Sequence, residues 1–180
     1  MQYAAAVRSN IGYNFEFFSP WVYNSKTGYI GSQSTNASQV TQPAHTLMFG
    51  DASIWNRVGG TPTGGGNWVV QTPCFLSSGG QYLEPMNGLA AAGLRQSYPT
   101  GWDASPTSAL IYGFLWPYYN LTSSTAAPQA QNGMVVIGFA DSHAKAMPMS
   151  QITNGCDVYG SSVQAGEVTN TSAFIWATNQ

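Results

Sequence analysis

Fourteen residues near the C-terminal end, Asn132-Gly133-Met134-Val135-Val136-Ile137-Gly138-Phe139-Ala140-Asp141-Ser142-His143-Ala144-Lys145, contain a turn, a strand, a polar break and a second strand. Asn-Gly is a strong short-range turn signal. The run from Met134 to Ala140 is short, apolar and rich in β-formers, which predicts a strand in the core of a sheet. Asp141-Ser142 ends that run. From His143 to Met147 polar and apolar side chains alternate, as they do in a half-exposed returning strand. A chain carrying this unit has to build a sheet around it.

The rest of the chain supplies enough material for one domain over residues 1–180. Of its 180 residues 43% are hydrophobic and 13% aromatic, which argues against disorder. A chain this long buries about 70% of its unfolded surface. Only 7% of residues are charged, against a usual ~25%, while Gly, Ser, Thr, Asn and Gln abound. That composition suits a protein working outside the cytoplasm. With a net charge of −2 and five scattered Lys and Arg, no basic patch exists to neutralise phosphates, so nucleic acid is not expected as a partner.

Along the chain, Ala4 to Arg8 forms the last turns of a helix, and a β-rich stretch from Phe15 to Tyr23 follows. Asn24 to Gly28 offers a hairpin turn before Tyr29-Ile30, and Thr46 to Gly50 is the next strand. Residues 52–88 carry Gly59-Gly60, Gly64-Gly65-Gly66, Gly79-Gly80, Pro62, Pro73 and Pro85. They predict a long excursion with at most short strands such as Trp68 to Gln71. Gly88 to Gln96 predicts a short helix, Ala109 to Leu115 a strand, Thr122 to Gln131 a polar linker, Ser150 to Asn154 a helical turn, and Ala173 to Ala177 a last strand. No internal repeat or domain boundary stands out.

The opening segment resembles the C-terminal motif of a large bacterial group of prepilin-type proteins, related to type II secretion pseudopilins and named for a His-x9-Asp-Gly motif. The matching residues are Asn132, Gly133, Phe139, Ala140, Asp141, His143 and Lys145. Gln131 stands where the family has its first His, and Ser142 where it has Gly. Ser9-Asn10-Ile11-Gly12-Tyr13-Asn14 is similar to the family's Ser-Tyr-Gly-Tyr-Asn element, and Pro43 to Asp51 to its Pro-Ala-Glu-Thr-strand-Asp element. The resemblance covers positions 9–51 and 131–152. It implies an α+β fold, an antiparallel β-sheet packed on the remnant of an N-terminal helix, strand-rich with long loops. The strand pattern alone would equally allow a β-sandwich. The family also begins with a basic leader and about 20 apolar residues of membrane helix. No window here approaches 18 apolar residues, and Met1 to Arg8 is too short for a signal peptide. The expectation is that the leader and helix precede position 1 in the native precursor.

Candidate sites are few because titratable residues are few. Asp51 and Asp141 each follow an apolar strand. If those strands run the same way, the two carboxylates share one end of the sheet and could hold a Ca²⁺ or act as an acid/base pair, roles that fail beyond about 10 Å. If the strands are antiparallel neighbours, the two lie at opposite ends. Turn-capping through backbone hydrogen bonds is the commoner role for such an Asp. His143 faces the same side as Asp141 on extended chain, so those two can pair. Glu84 and Asp103 complete the set of weak catalytic candidates. No Gly-x-Ser-x-Gly elbow occurs, and no nucleophile is marked. Trp55, Trp68 and Trp102 are candidate rings for stacking on sugars, although most large aromatics are core. Cys74 and Cys156 either pair, worth on the order of 4 kcal/mol by loop entropy, or stay as two free thiols.

The resemblance thus implies a non-catalytic, pilin-like or pseudopilin-like structural subunit of a bacterial envelope or surface assembly, at the cell envelope or outside it. Its partners would be other pilin-like subunits, and its one contact with a membrane the N-terminal helix. The competing expectation is a carbohydrate-active protein, a glycan-binding module or a small hydrolase of polysaccharide working with paired carboxylates. No cofactor is required by either reading, and Ca²⁺ is the one cation considered.

Overall fold

A computed structural model describes residues 10–24, 26–32, 34–52, 57–58, 61–62, 68–76, 113, 115–119, 133–157 and 166–178. The chain enters through β1 (Ile11–Asn14), a single turn of helix α1 (Phe15–Phe18), and a hairpin of β2 (Trp21–Asn24) and β3 (Tyr29–Ser32). Two 3₁₀ turns, Ala37–Gln39 and Pro43–His45, lead into β4 (Leu47–Asp51). The two-residue strands β5 (Arg57–Val58), β6 (Thr61–Pro62) and β7 (Val69–Val70) follow, and then β8 (Cys74–Leu76). Beyond them come β9 (Met134–Phe139), β10 (Ala144–Pro148), helix α2 (Met149–Ile152), β11 (Cys156–Asp157), β12 (Gly166–Val168) and a 3₁₀ turn at Thr171–Ala173.

Five strands form the main sheet in the order β10-β9-β4-β1-β7. The strands from β10 to β1 are antiparallel, while β1 and β7 run parallel with Tyr13 opposite Val69. The expected purely antiparallel sheet therefore has one parallel edge. Gly12 is what permits that close approach, because a Cβ there would lie 2.5 Å from Val70 Cγ1 and 2.9 Å from the Val69 backbone. A second sheet, β11-β12-β8, holds Cys74 and Cys156 on either side of its middle strand, and the two are joined as a disulfide with Cα atoms 5.8 Å apart. Sheets and short helices together make a mixed, strand-dominated α+β fold.

Alternation along β9 sends Val135, Ile137 and Phe139 into the core and leaves Met134, Val136 and Gly138 on the opposite face. Leu47, Val70, Leu115, Phe17, Met149 and Ile152 pack with the inward set, and Phe174 and Trp176 close the layer. Phe17 and Phe174 meet edge to face at 6.3 Å. Trp176 is fully buried and donates its indole N–H to the Ile152 carbonyl at 3.0 Å, so its one polar atom is satisfied.

Two segments depart from expectation. Phe15–Phe18, read as strand, is a helical turn closed by the Ser19 N–H on the Phe15 carbonyl at 2.9 Å. Four apolar-rich residues fit either periodicity, so tertiary contacts decide. The predicted last strand from Ala173 to Ala177 is instead a 3₁₀ turn followed by a buried run from Phe174 to Ala177. That run satisfies its backbone piecemeal: Leu47 N–H donates to Ile175 O at 2.6 Å and the Asn14 amide to Trp176 O at 3.0 Å. The expected helices at Ala4 to Arg8 and Gly88 to Gln96, the linker at 122–131, and most of the strand from Ala109 lie outside the described residues.

Candidate functional site

Outward-facing residues of β1, β4, β9 and β10 enclose a groove of about 390 Å³ on the solvent face of the main sheet. Ile11, Phe49, Val136, Gly138 and Ala144 line it, and Asp51 is the one charged residue among the lining groups. Register explains the grouping. Ile11 pairs with Asp51, Phe49 with Gly138, and Gly138 with Ala144, so residues distant in sequence stand side by side. Ile11 and Phe49 stay 59% and 39% exposed, high values for large apolar side chains, and they form the walls. Tyr13 lies beside Phe49 with ring centroids 5.5 Å apart.

Asp51 is half-buried, and its Oδ2 accepts the Val136 N–H at 2.8 Å. Burial raises its pKa above the ordinary carboxylate value, and the Val136 N–H partly offsets that. Tyr118 lies nearby, with its hydroxyl donating to the Ala52 carbonyl at 2.9 Å. Burial and then the charge of Asp51 push the Tyr118 pKa upward.

Asp141 occupies a different place. Ala140, Asp141 and Ser142 form a three-residue hairpin loop, closed by Ser142 N–H on Phe139 O at 3.0 Å and Phe139 N–H on His143 O at 2.9 Å. Its carboxylate accepts from the His143 backbone N–H at 3.2 Å and sits 2.5 Å from the His143 Nδ1. These bonds, the side-chain one first, hold the Asp141 pKa below the usual range. The His143 ring stacks on Phe139 with centroids 4.3 Å apart. Ser142 takes φ +77°, a left-handed conformation that glycine adopts at little cost and serine does not. Ser142→Gly is therefore expected to stabilise the fold by about 0.5–1 kcal/mol, read as a rise in the urea midpoint at constant m. A lowered midpoint would show that the turn is not strained at this residue.

Because β4 and β9 are antiparallel neighbours with Gly50 opposite Ile137, Asp51 and Asp141 stand at opposite ends of the pair, about 17 Å apart along the sheet at 3.4 Å per residue. The structure does not bring together the two carboxylates considered for a Ca²⁺ site or an acid/base pair. Among the described residues no group of three or more His, Cys, Asp and Glu could hold a metal. Trp68 is 52% exposed and lies 6.5 Å, centroid to centroid, from Phe15. Trp55, Glu84, Trp102 and Asp103 lie outside the described residues.

Sequence reasoning passed over two features. Glu16 is a lone carboxylate inside Phe15-Glu16-Phe17-Phe18, an anomaly visible in the sequence; it is almost fully buried, with Oε2 accepting the Thr72 N–H at 2.9 Å. The groove escaped because its small residues, Gly138 and Ala144, come together only through strand register. No protein-family model, curated protein or solved structure matches this chain.

Proposed function

We propose that this chain is a pilin-like structural subunit of a bacterial envelope or surface assembly, without catalysis of its own. One observation carries the reading. The segments that resemble the prepilin-type family, at positions 9–14, 43–51 and 132–145, are far apart in sequence yet form β1, β4 and the β9–β10 hairpin, consecutive strands of one sheet. Chance matches scattered over 180 residues would have no reason to fall on adjacent strands. The Cys74–Cys156 disulfide adds support for a compartment outside the cytoplasm, since such bonds persist where thiols are not kept reduced.

The glycan-directed alternative keeps Trp68 as an exposed ring but has lost its described carboxylate pair. The test is the N-terminus of the mature protein in its native host, determined by mass spectrometry on the envelope fraction. A processed chain carrying about 20 apolar residues ahead of the domain is the expected result. Export through an ordinary cleaved signal peptide, or recovery in the cytosol, would remove the pilin-like reading.

A further inference from the structure

We propose that the groove on the solvent face of the main sheet binds an organic ammonium ion with an apolar body, with Asp51 as its counter-ion. The proposal concerns a ligand and does not depend on whether the chain assembles into a filament.

Size and lining come first. At about 390 Å³ the groove falls in the range of small-molecule clefts, roughly 300–1,000 Å³. Its walls are Ile11 and Phe49, and its floor includes Gly138 and Ala144, where small side chains leave the space open. An aliphatic or aromatic body would bury surface there that the sheet otherwise leaves in water.

The head group is decided by Asp51. Its Oδ2 is held by the Val136 N–H, and among the described residues Oδ1 accepts no hydrogen bond. A purely apolar ligand would desolvate this carboxylate and return nothing. An anion would be repelled. A sugar would find one acceptor among groups that offer no side-chain N–H, leaving most of its hydroxyls unpaired. A primary ammonium brings both opposite charge and N–H donors to Oδ1, and the Phe49 ring beside it adds an aromatic face. Across the groove, β1 presents Ile11, β9 presents Val136 and Gly138, and β10 presents Ala144, so no cation of the described chain lines it in competition. Tyr118, beside Asp51, is pushed further toward its neutral form by burial and by the Asp51 charge.

Calorimetric titration of the whole chain with phenethylammonium, 2-phenylethanol and 3-phenylpropanoate separates these cases, since the three share a ring and differ in the head. The ammonium is expected to bind about tenfold more tightly than the alcohol, and the carboxylate not measurably. Asp51→Asn keeps an acceptor for the Val136 N–H and should bring ammonium and alcohol to equal affinity. Gly138→Leu is an independent block. A Cβ at Gly138 meets Phe49 Cβ at 3.5 Å, an ordinary contact, so the added side chain fills the groove without displacing backbone. It should abolish binding of the ammonium and of the alcohol. Equal affinity of ammonium and alcohol in the unaltered protein, no binding of either, or ammonium binding that survives Gly138→Leu would each overturn the proposal.

Discussion

Raising the pH from about 5 to about 9 will remove several kcal/mol of folding stability through a single side chain, Glu16. Helix α1 carries this residue into the core, where it is 2% exposed, with Oε2 on the Thr72 N–H and Oε1 without a partner among the described residues. Burial pushes its pKa from 4.5 up to about 8, and the Thr72 N–H offsets only part of that. The sign follows from the raised value. Below pH 4.5 the carboxyl is protonated in both folded and unfolded chains, and stability is complete. Between 4.5 and about 8 the unfolded chain releases the proton while the fold retains it, at a cost approaching about 1.4 kcal/mol per pH unit. Above that range the loss levels off.

Glu16→Gln keeps an acceptor for Thr72 and cannot ionise. Urea melts at pH 5, 7 and 9 should therefore show a steep decline in the unaltered protein and a shallow one in the variant. Asp51, also raised, adds a loss of the same sign to both proteins, so the difference between the two profiles isolates Glu16. Asp141, whose pKa is lowered, acts in the opposite sense and only at the acid end. Parallel profiles across this range would mean that Glu16 is not the group responsible.

Removing the disulfide should have an effect of the same order. Cys74 and Cys156 are 82 residues apart in sequence and join β8 to β11 across β12. On the chain-entropy model a loop of that length is worth about 4–5 kcal/mol, comparable with the whole stability of a marginal domain. The Cys74→Ala, Cys156→Ala double variant and the reduced unaltered protein should both fall to a much lower urea midpoint than the oxidised protein, and both should unfold by 37 °C. A loss below about 1 kcal/mol at unchanged m would sink the idea that this bond holds the second sheet in place.

Local chemistry made part of this architecture legible. Asn-Gly before a run of β-formers, a polar break and an alternating return carried enough information for β9 and β10, because strand period and turn residues agree there. Thr46 to Gly50 was legible for the same reason and lies within one residue of β4. What failed was decided at a distance. Phe15–Phe18 turns helical in a place where Glu16 must reach Thr72, and nothing within four residues encodes that partner. Phe174 to Ala177 is β-like in composition but meets the end of β4 through the single Leu47–Ile175 bond and is in no ladder among the described residues. The short strand expected at Trp68 to Gln71 is present as β7, but its parallel pairing with β1 is set by tertiary position and not by anything in its own residues. Asp51 closes β4, as its position after an apolar run suggested, whereas its apolar surroundings depended on which residues of β9 and β10 face it, which only register determines.

The separation between β4 and β9 has a consequence for biosynthesis. About eighty residues must leave the ribosome between these hydrogen-bonded neighbours, so the sheet is dominated by non-local pairings and its contact order is high. Until β9 arrives, β4 presents an open row of backbone donors and acceptors on one side, a template for pairing with the wrong chain. Slow acquisition of native structure follows, with a period of vulnerability that lasts as long as translation or export of the intervening chain. A host producing this protein in quantity would need a holdase active on the partly emerged chain, and refolding yields in vitro should fall steeply with protein concentration.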